Sequence, residues 1–229
     1  MKSLVFDAGP IISLATNNLL WLLDPLKKKF NGSFYLTDAV KRELVDRPLE
    51  TKKFKFEAIQ VEKLIESGVL EIIDNQFIKE HTPKLLNTAN EIFKAFNSCI
   101  KIVHFAEMSA LAAAINLGSE AVILDEKITR LLIENPRMIV EILRDNLHTS
   151  ISLNENNLKE FKNTVKNIRT VRSFELVTVA YEQGMLDSFV TKIPDAKKNL
   201  LESVLWGVKL NGCAVSKSEI EQIIAMETR

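Results

Sequence analysis

The sequence predicts an α/β fold in which a parallel sheet lies between layers of helices. Three observations carry that expectation. Short apolar, β-favouring runs (Leu4-Val5-Phe6, Phe34-Tyr35-Leu36, Val69-Leu70-Glu71-Ile72-Ile73 and Ala121-Val122-Ile123-Leu124) alternate with segments of helical pattern. The recurring order of strand and helix argues for parallel strands with helices on both faces. Two of the runs end in a carboxylate, Asp7 and Asp125, with a helix start just beyond.

The first run leads straight into Asp7-Ala8-Gly9-Pro10-Ile11-Ile12. Pro10 suits the first turn of a helix, where its missing N–H is no loss and its fixed φ already fits. Asp7 therefore stands at the carboxyl end of a strand, the edge at which open α/β sheets bind ligands. Taken alone it serves equally well as a helix cap.

Further along, Asn17-Asn18 mark a break, and Asp24-Pro25 is expected to interrupt the apolar run around Trp21. Asn31-Gly32 is a turn, and Thr37 is an N-cap for a helix that carries Glu43 in its second turn and is expected to end at Arg47-Pro48. Residues 50–57 are charged and ambiguous. Residues 59–65 have helical spacing, and residues 75–97 read as mostly helical with a boundary at Thr82-Pro83. The clearest helix spans residues 105–117, alanine-rich, with Glu107 in its first turn and Gly118 closing it. Another runs from Lys127 to about Asn135-Pro136.

Beyond residue 136 helices are expected at 138–146, 158–168, 174–183 and 197–206, the last ending before Gly207, and residues 150–153 read as a short last strand. Ser216-Lys217-Ser218-Glu219 is a capping box for a final helix. The expected organisation is a core over residues 1–135 and a mainly helical insertion and extension over residues 136–229 packing on it.

With 229 residues, 46% hydrophobic and 26% charged, the chain can bury a sizeable core, and its formal net charge of zero leaves any nucleic-acid binding to local patches. Cys99 and Cys213 lack CxxC spacing and read as free thiols of a reducing cytoplasm. No apolar run reaches the ~18 residues of a membrane span, so a cytoplasmic location is expected.

Asp7, Glu43, Glu107 and Asp125 recur at like places, with Glu126 as a fifth candidate. Gathered at one sheet edge, such carboxylates repel one another, and a divalent cation removes the conflict. Hard oxygen ligands suit Mg²⁺ or Mn²⁺, which engage phosphates and activate water. The pattern points to metal-dependent phosphodiester chemistry.

These residues resemble the PIN-domain nucleases. The likeness rests on Leu4 to Ile12, on Val40-Lys41-Arg42-Glu43-Leu44, on Ala106-Glu107 opening an alanine-rich helix, and on Val122-Ile123-Leu124-Asp125-Glu126-Lys127-Ile128-Thr129-Arg130. It covers roughly residues 1–133, and the tail loosely resembles a longer prokaryotic PIN subgroup. It implies a three-layer α/β/α fold and Mg²⁺- or Mn²⁺-dependent cleavage of single-stranded RNA. Asp7, Glu43, Glu107 and Asp125 would be the catalytic acids. Asp7, Glu107, Asp125 and Glu126 would hold metal, and Lys41, Arg42 and Arg130 would meet substrate. Many relatives are VapC-like toxins of toxin–antitoxin pairs, often homodimers held inactive by a small antitoxin, and others process RNA.

Two positions depart from the family. Gly9 stands two residues after the first Asp, where relatives often carry Ser or Thr, and Ile123-Leu124 replace a Thr or Ser before the last Asp. The alternative reading is therefore a catalytically inactive PIN-like module that binds RNA or protein. Rivals of other chemistry lack their signatures. A haloacid-dehalogenase phosphatase needs a second Asp where Gly9 stands, and there is no GxGxxG, no Walker A loop and no zinc-like spacing around His81 or His148. His104, at the start of the helix carrying Glu107, is placed to approach the site or to serve as a structural residue there.

Overall fold

Leu4, Val5 and Phe6 form an unbroken apolar run because both faces of their strand are covered. The computed structural model of the chain describes residues 2–228. Strand β1 (Ser3–Phe6) runs into helix α1 (Ala8–Thr16), and α2 (Leu23–Phe30) leads to β2 (Ser33–Thr37). A composite helical stretch follows: α3 (Asp38–Lys41), a π turn over Arg42–Asp46 and α4 (Arg47–Glu50), then α5 (Lys55–Glu66) and β3 (Glu71–Ile73). Next come α6 (Gln76–Asn90), the hairpin of β4 (Phe93–Ala95) and β5 (Ser98–Cys99), α7 (Phe105–Leu117) and β6 (Ala121–Ile123). The chain continues through α8 (Lys127–Glu134), α9 (Arg137–Leu147), β7 (Ser152–Leu153), α10 (Glu155–Val165) and β8 (Thr170–Val171). It closes with α11 (Ser173–Glu182), α12 (Ala196–Leu210) and α13 (Lys217–Glu227).

Five strands make one parallel sheet in the order β3-β2-β1-β6-β8, with Val5 registered against Tyr35 on one side and Val122 on the other. Leu4, Phe6, Phe34 and Leu36 pack into one core with Ile11 and Leu14 of α1, Leu23 of α2, Val177 of α11 and Leu205 of α12. Val5, Val122 and Leu124 pack into a second core with Leu85 of α6, Leu111 of α7, Leu132 of α8, Ile139 of α9 and Phe161 of α10. The result is the expected three-layer α/β/α arrangement. Among the described residues no helix is long and apolar enough to cross a membrane, and Cys99 and Cys213 are free.

Several expectations are corrected. Residues 152–153 are not the last strand of the main sheet. They pair antiparallel with β4 in a small separate sheet, β5-β4-β7, and the fifth parallel strand is the two-residue β8. The Thr82-Pro83 boundary is absent, because α6 runs through Pro83. Just before the proline, Thr82 Oγ1 donates to the Ile78 carbonyl at 2.7 Å and His81 Nδ1 lies 2.9 Å from the Phe77 carbonyl.

Asp24 and Pro25 begin α2 instead of interrupting a helix, as a proline in a first turn can. Arg47-Pro48 does not end the Glu43 helix either. The π turn lets Arg47 N–H reach the Arg42 carbonyl, and the chain carries on with Pro48 in the opening turn of α4. Likewise Gly207 lies inside α12. A Cβ there would come within 2.3 Å of Asn17 Oδ1, so glycine permits the close passage of α12 over the end of α1.

Candidate active site

The carboxyl ends of β1 and β6 lie side by side: Asp7 N–H donates to the Ile123 carbonyl at 2.9 Å, and Asp125 stands two residues beyond that carbonyl on the neighbouring strand's exit. Asp7 is 6% exposed and caps α1, accepting from Gly9 N–H at 3.4 Å. Glu43 is delivered by the π turn, Glu107 by the first turn of α7, and Glu126 by the N-cap of α8. α7 is pinned to the end of β2 by a buried 2.6 Å hydrogen bond between Ser109 and Thr37 hydroxyls. All five acids line one open cleft of about 360 Å³ at this edge of the sheet, together with Gly9, Ile12, Ser13 and His104.

Their environments differ. Asp125 is 2% exposed, and three donors hold it: Ser13 Oγ (2.7 Å) and Ser173 Oγ (2.6 Å) on Oδ2, and Ser173 N–H (2.7 Å) on Oδ1. Asp7 has no cation partner among the described residues. Burial foremost, and then the charge of Glu107 and to a smaller degree of Glu43, push its carboxyl from 3.8 up to about 7, against the pull of the Ala8 and Gly9 N–H groups. Burial likewise raises Glu107, although Thr129 Oγ1 donates to its Oε2 at 2.5 Å and His104 N–H at 3.4 Å. Glu126 and Glu43 add to that rise. Glu43 is partly exposed and reaches Arg47 at 3.8 Å.

The groups that support these acids carry little signal in the sequence. Ser13 stands one helical turn beyond Gly9 and provides a hydroxyl on the same face of α1. Ser173, Asn211 and Gly212 arrive from far along the chain, the latter two as part of the cleft wall. Ala214 N–H bonds the Asp125 carbonyl at 3.1 Å. Arg172, buried beside Ser173, donates to Glu175, to Glu219 at 2.9 Å and to the Ala214 carbonyl at 3.0 Å, which fixes α11, α13 and the 211–214 loop together. Cys213 is buried beside Asp125; burial first, and Asp125 next, push its thiol up to about 12, which disfavours the thiolate.

The three cations expected to meet substrate do not join the acids. Lys41 pairs with Asp46 at 3.5 Å and Glu62 at 3.7 Å, Arg42 with Asp38 at 2.8 Å, and Arg130 with Glu134 at 3.3 Å. None of them lines the cleft. His104 does line it.

A sequence-family profile described as a PIN domain matches residues 3–140. The chain belongs to the PIN-domain family. No curated protein matches the chain, and no solved structure does. The PIN match spans β1 to the start of α9 and includes all five acids, while Ser173, Asn211 and Gly212 lie beyond it. PIN domains are in general nucleases of divalent-metal type, and the oxygen-rich cleft at the carboxyl edge of this sheet is where such chemistry would be built. Among the described residues no three His, Cys, Asp or Glu side chains stand close enough to enclose an ion by themselves. The lining is made of carboxylate oxygens, hard donors of the kind that suit Mg²⁺, an ion that keeps several waters and takes one or two carboxylates directly.

Proposed function

We propose that this PIN-domain protein is a Mg²⁺- or Mn²⁺-dependent endoribonuclease that hydrolyses phosphodiester bonds of single-stranded RNA. The observation that carries this reading is the convergence on one cleft of acids from two adjacent strand ends and from three separate helical turns. Structural capping explains each acid singly and leaves their common placement, at a cost in repulsion, unexplained.

In this account Asp7 and Asp125 would hold the ion directly, Glu107 and Glu126 would meet it through its waters, and Glu43 would orient water from the more open side. A divalent ion so held supplies a water of lowered pKa and neutralises charge on the phosphodiester. The residues do the rest. Ser13 and Ser173 hold the Asp125 carboxylate in place, with two hydroxyls on Oδ2 and a backbone N–H on Oδ1. Burial and the neighbouring glutamates favour the protonated Asp7 carboxyl, so an ion held there would take it in its ionised form, with loss of that proton.

The rival, a non-catalytic binding module, draws on the missing hydroxyls at Gly9 and Leu124. Ser13 and Ser173 supply hydroxyls to Asp125 from other positions, which favours the enzyme. The toxin role, with a small antitoxin as inhibitor and a homodimer as the unit, rests on family likeness; an adjacent small reading frame would separate it from RNA processing. Titration calorimetry with Mn²⁺ tests the metal step: wild type is expected to bind, and Asp7→Asn and Asp125→Asn each to lose roughly ten-fold or more in affinity. No heat of binding with wild type would return the protein to the non-catalytic reading.

A further inference from the structure

Two exposed arms that combine cations with aromatic rings flank the acidic cleft. The first is the connection from α4 into α5, where Lys52, Lys53, Phe54, Lys55 and Phe56 are all exposed. Phe54 has a left-handed backbone, φ 60°, and Lys53 Nζ sits 4.6 Å from its ring centroid. Phe54 also walls a small apolar pocket whose Ile12 and Glu43 are shared with the acidic cleft. The second arm is the β4–β5 hairpin with the loop beyond it. Phe96 and Asn97 both take positive φ at its tip, where Phe96 is 79% exposed.

Beneath this arm runs a groove of about 430 Å³ lined by Asn87, Cys99, Lys101 and Phe105, and it shares His104 with the acidic cleft. The groove is pre-shaped. Asn90 Oδ1 accepts from Ile102 N–H at 2.7 Å and Val103 N–H at 3.1 Å, while its Nδ2 donates to the Val103 carbonyl at 3.1 Å. Pocket, cleft and groove thus form one trench with the acids in the middle.

A bulky residue in left-handed backbone is strained, and leaving its ring in water forgoes the gain of burial. Phe96 bears both costs in full, and Phe54, 43% exposed at the rim of the apolar pocket, bears the first and part of the second. Among the described residues, Lys52, Lys53, Lys55, Lys94 and Lys101 on the arms make no ion pair, like most lysines of this chain, and so are open to an anionic partner. Unpaired ammonium groups beside exposed aromatic faces are the elements with which proteins hold unpaired nucleic-acid strands. We propose that the trench carries a single strand of RNA across the acids, with bases stacked on Phe54 and Phe56 at one end and on Phe96 and Phe105 at the other. The lysines neutralise its phosphates. This rests on the nuclease reading for the nature of the strand. Because stacking reads no base edges, the arms select single strands over duplexes and tolerate sequence.

The test is fluorescence anisotropy with labelled oligo-uridylate, using the full chain in EDTA so that binding is read without cleavage. Phe54→Ala/Phe56→Ala and Phe96→Ala/Phe105→Ala are each expected to weaken binding roughly five-fold or more. Lys52→Ala/Lys53→Ala/Lys55→Ala should flatten the salt dependence by about 0.7 in log–log slope for each phosphate no longer neutralised. Phe56→Ala and Phe96→Ala alone, the most exposed positions of each arm, guard against misfolding, with unchanged thermal unfolding as the control. Unchanged affinity in both aromatic pairs overturns the proposal and leaves the arms as a protein-binding surface. The two readings fail separately: RNA held by the arms yet uncut in Mn²⁺ rejects the nuclease and upholds the trench. Cleavage with arm variants that bind like wild type does the reverse.

Discussion

Ser173 grips Asp125 twice, its N–H donating to Oδ1 at 2.7 Å and its hydroxyl to Oδ2 at 2.6 Å. The two residues are 48 positions apart, and Ser173 lies outside the part of the chain that matches the PIN profile. On this account Ser173 is a positioning residue for the metal ligand. Ser173→Ala is expected to lower Mn²⁺ affinity and activity by about 10- to 100-fold, with Ser173→Thr restoring much of both. Calorimetry on the two variants checks this. Equal Mn²⁺ affinity in wild type and Ser173→Ala would show that Ser13 and the backbone N–H suffice.

Asp7 sets a pH dependence whose sign follows from its environment. Burial and the neighbouring glutamates raise its folded-state pKa from 3.8 to about 7. A raised carboxyl favours folding below the unfolded-state pKa and loses that advantage as pH climbs through the folded one. The metal-free protein should therefore lose stability between about pH 4 and pH 7, by up to about 4 kcal/mol from this group. Asp7→Asn is expected to be the more stable protein at pH 8, with the gap closing toward pH 4. Denaturant melts in EDTA at several pH values measure it, and added Mn²⁺ should raise the melting temperature of wild type alone.

Gly207 is expected to accept a side chain only by displacing that of Asn17. Alanine would gain helix propensity in α12 but push the Asn17 amide out of its bonds to the Ser13 carbonyl (2.6 Å) and Asn211 (3.3 Å). Gly207→Ala should lose those bonds against a helix-propensity gain of about 1 kcal/mol, leaving a net change within about 1 kcal/mol on the destabilising side, read as a slightly lower denaturant midpoint.

Gly9 gives the opposite result. A Cβ there would lie 3.5 Å from Asp125 Cβ and 3.7 Å from Asp7 Oδ2, ordinary van der Waals distances. Gly9→Ser, which restores the residue type common in relatives, is expected to fold normally and keep wild-type metal affinity, because Ser13 already serves Asp125. Calorimetric affinity and the melting temperature together check it.

The acids are legible in the sequence and their supports are not, for reasons of locality. Asp7 and Asp125 stand out because strand, carboxylate and helix start are consecutive residues, and Glu107 because it opens an alanine-rich helix. Ser13 looks like any helical serine; only the fold shows that it reaches a carboxylate 112 positions away. β8 leaves no trace because two residues, Thr170 and Val171, are too few for a period, and their pairing with Val122 and Ile123 is entirely non-local. Pro48 and Pro83 mislead for a different reason. By local rule a proline ends a helix, yet a π turn carries the chain into α4 at Pro48, and α6 runs on through Pro83.

The most direct measurement is cleavage of labelled single-stranded RNA by the purified protein in Mn²⁺ or Mg²⁺, beside Asp7→Asn and Asp125→Asn. Wild type is expected to cut the RNA, EDTA to abolish the cutting, and each substitution to lower it by roughly two orders of magnitude or more. Cleavage that persists in EDTA or in both variants would contradict the metal-dependent mechanism, as would wild type that neither cuts RNA nor binds the metal.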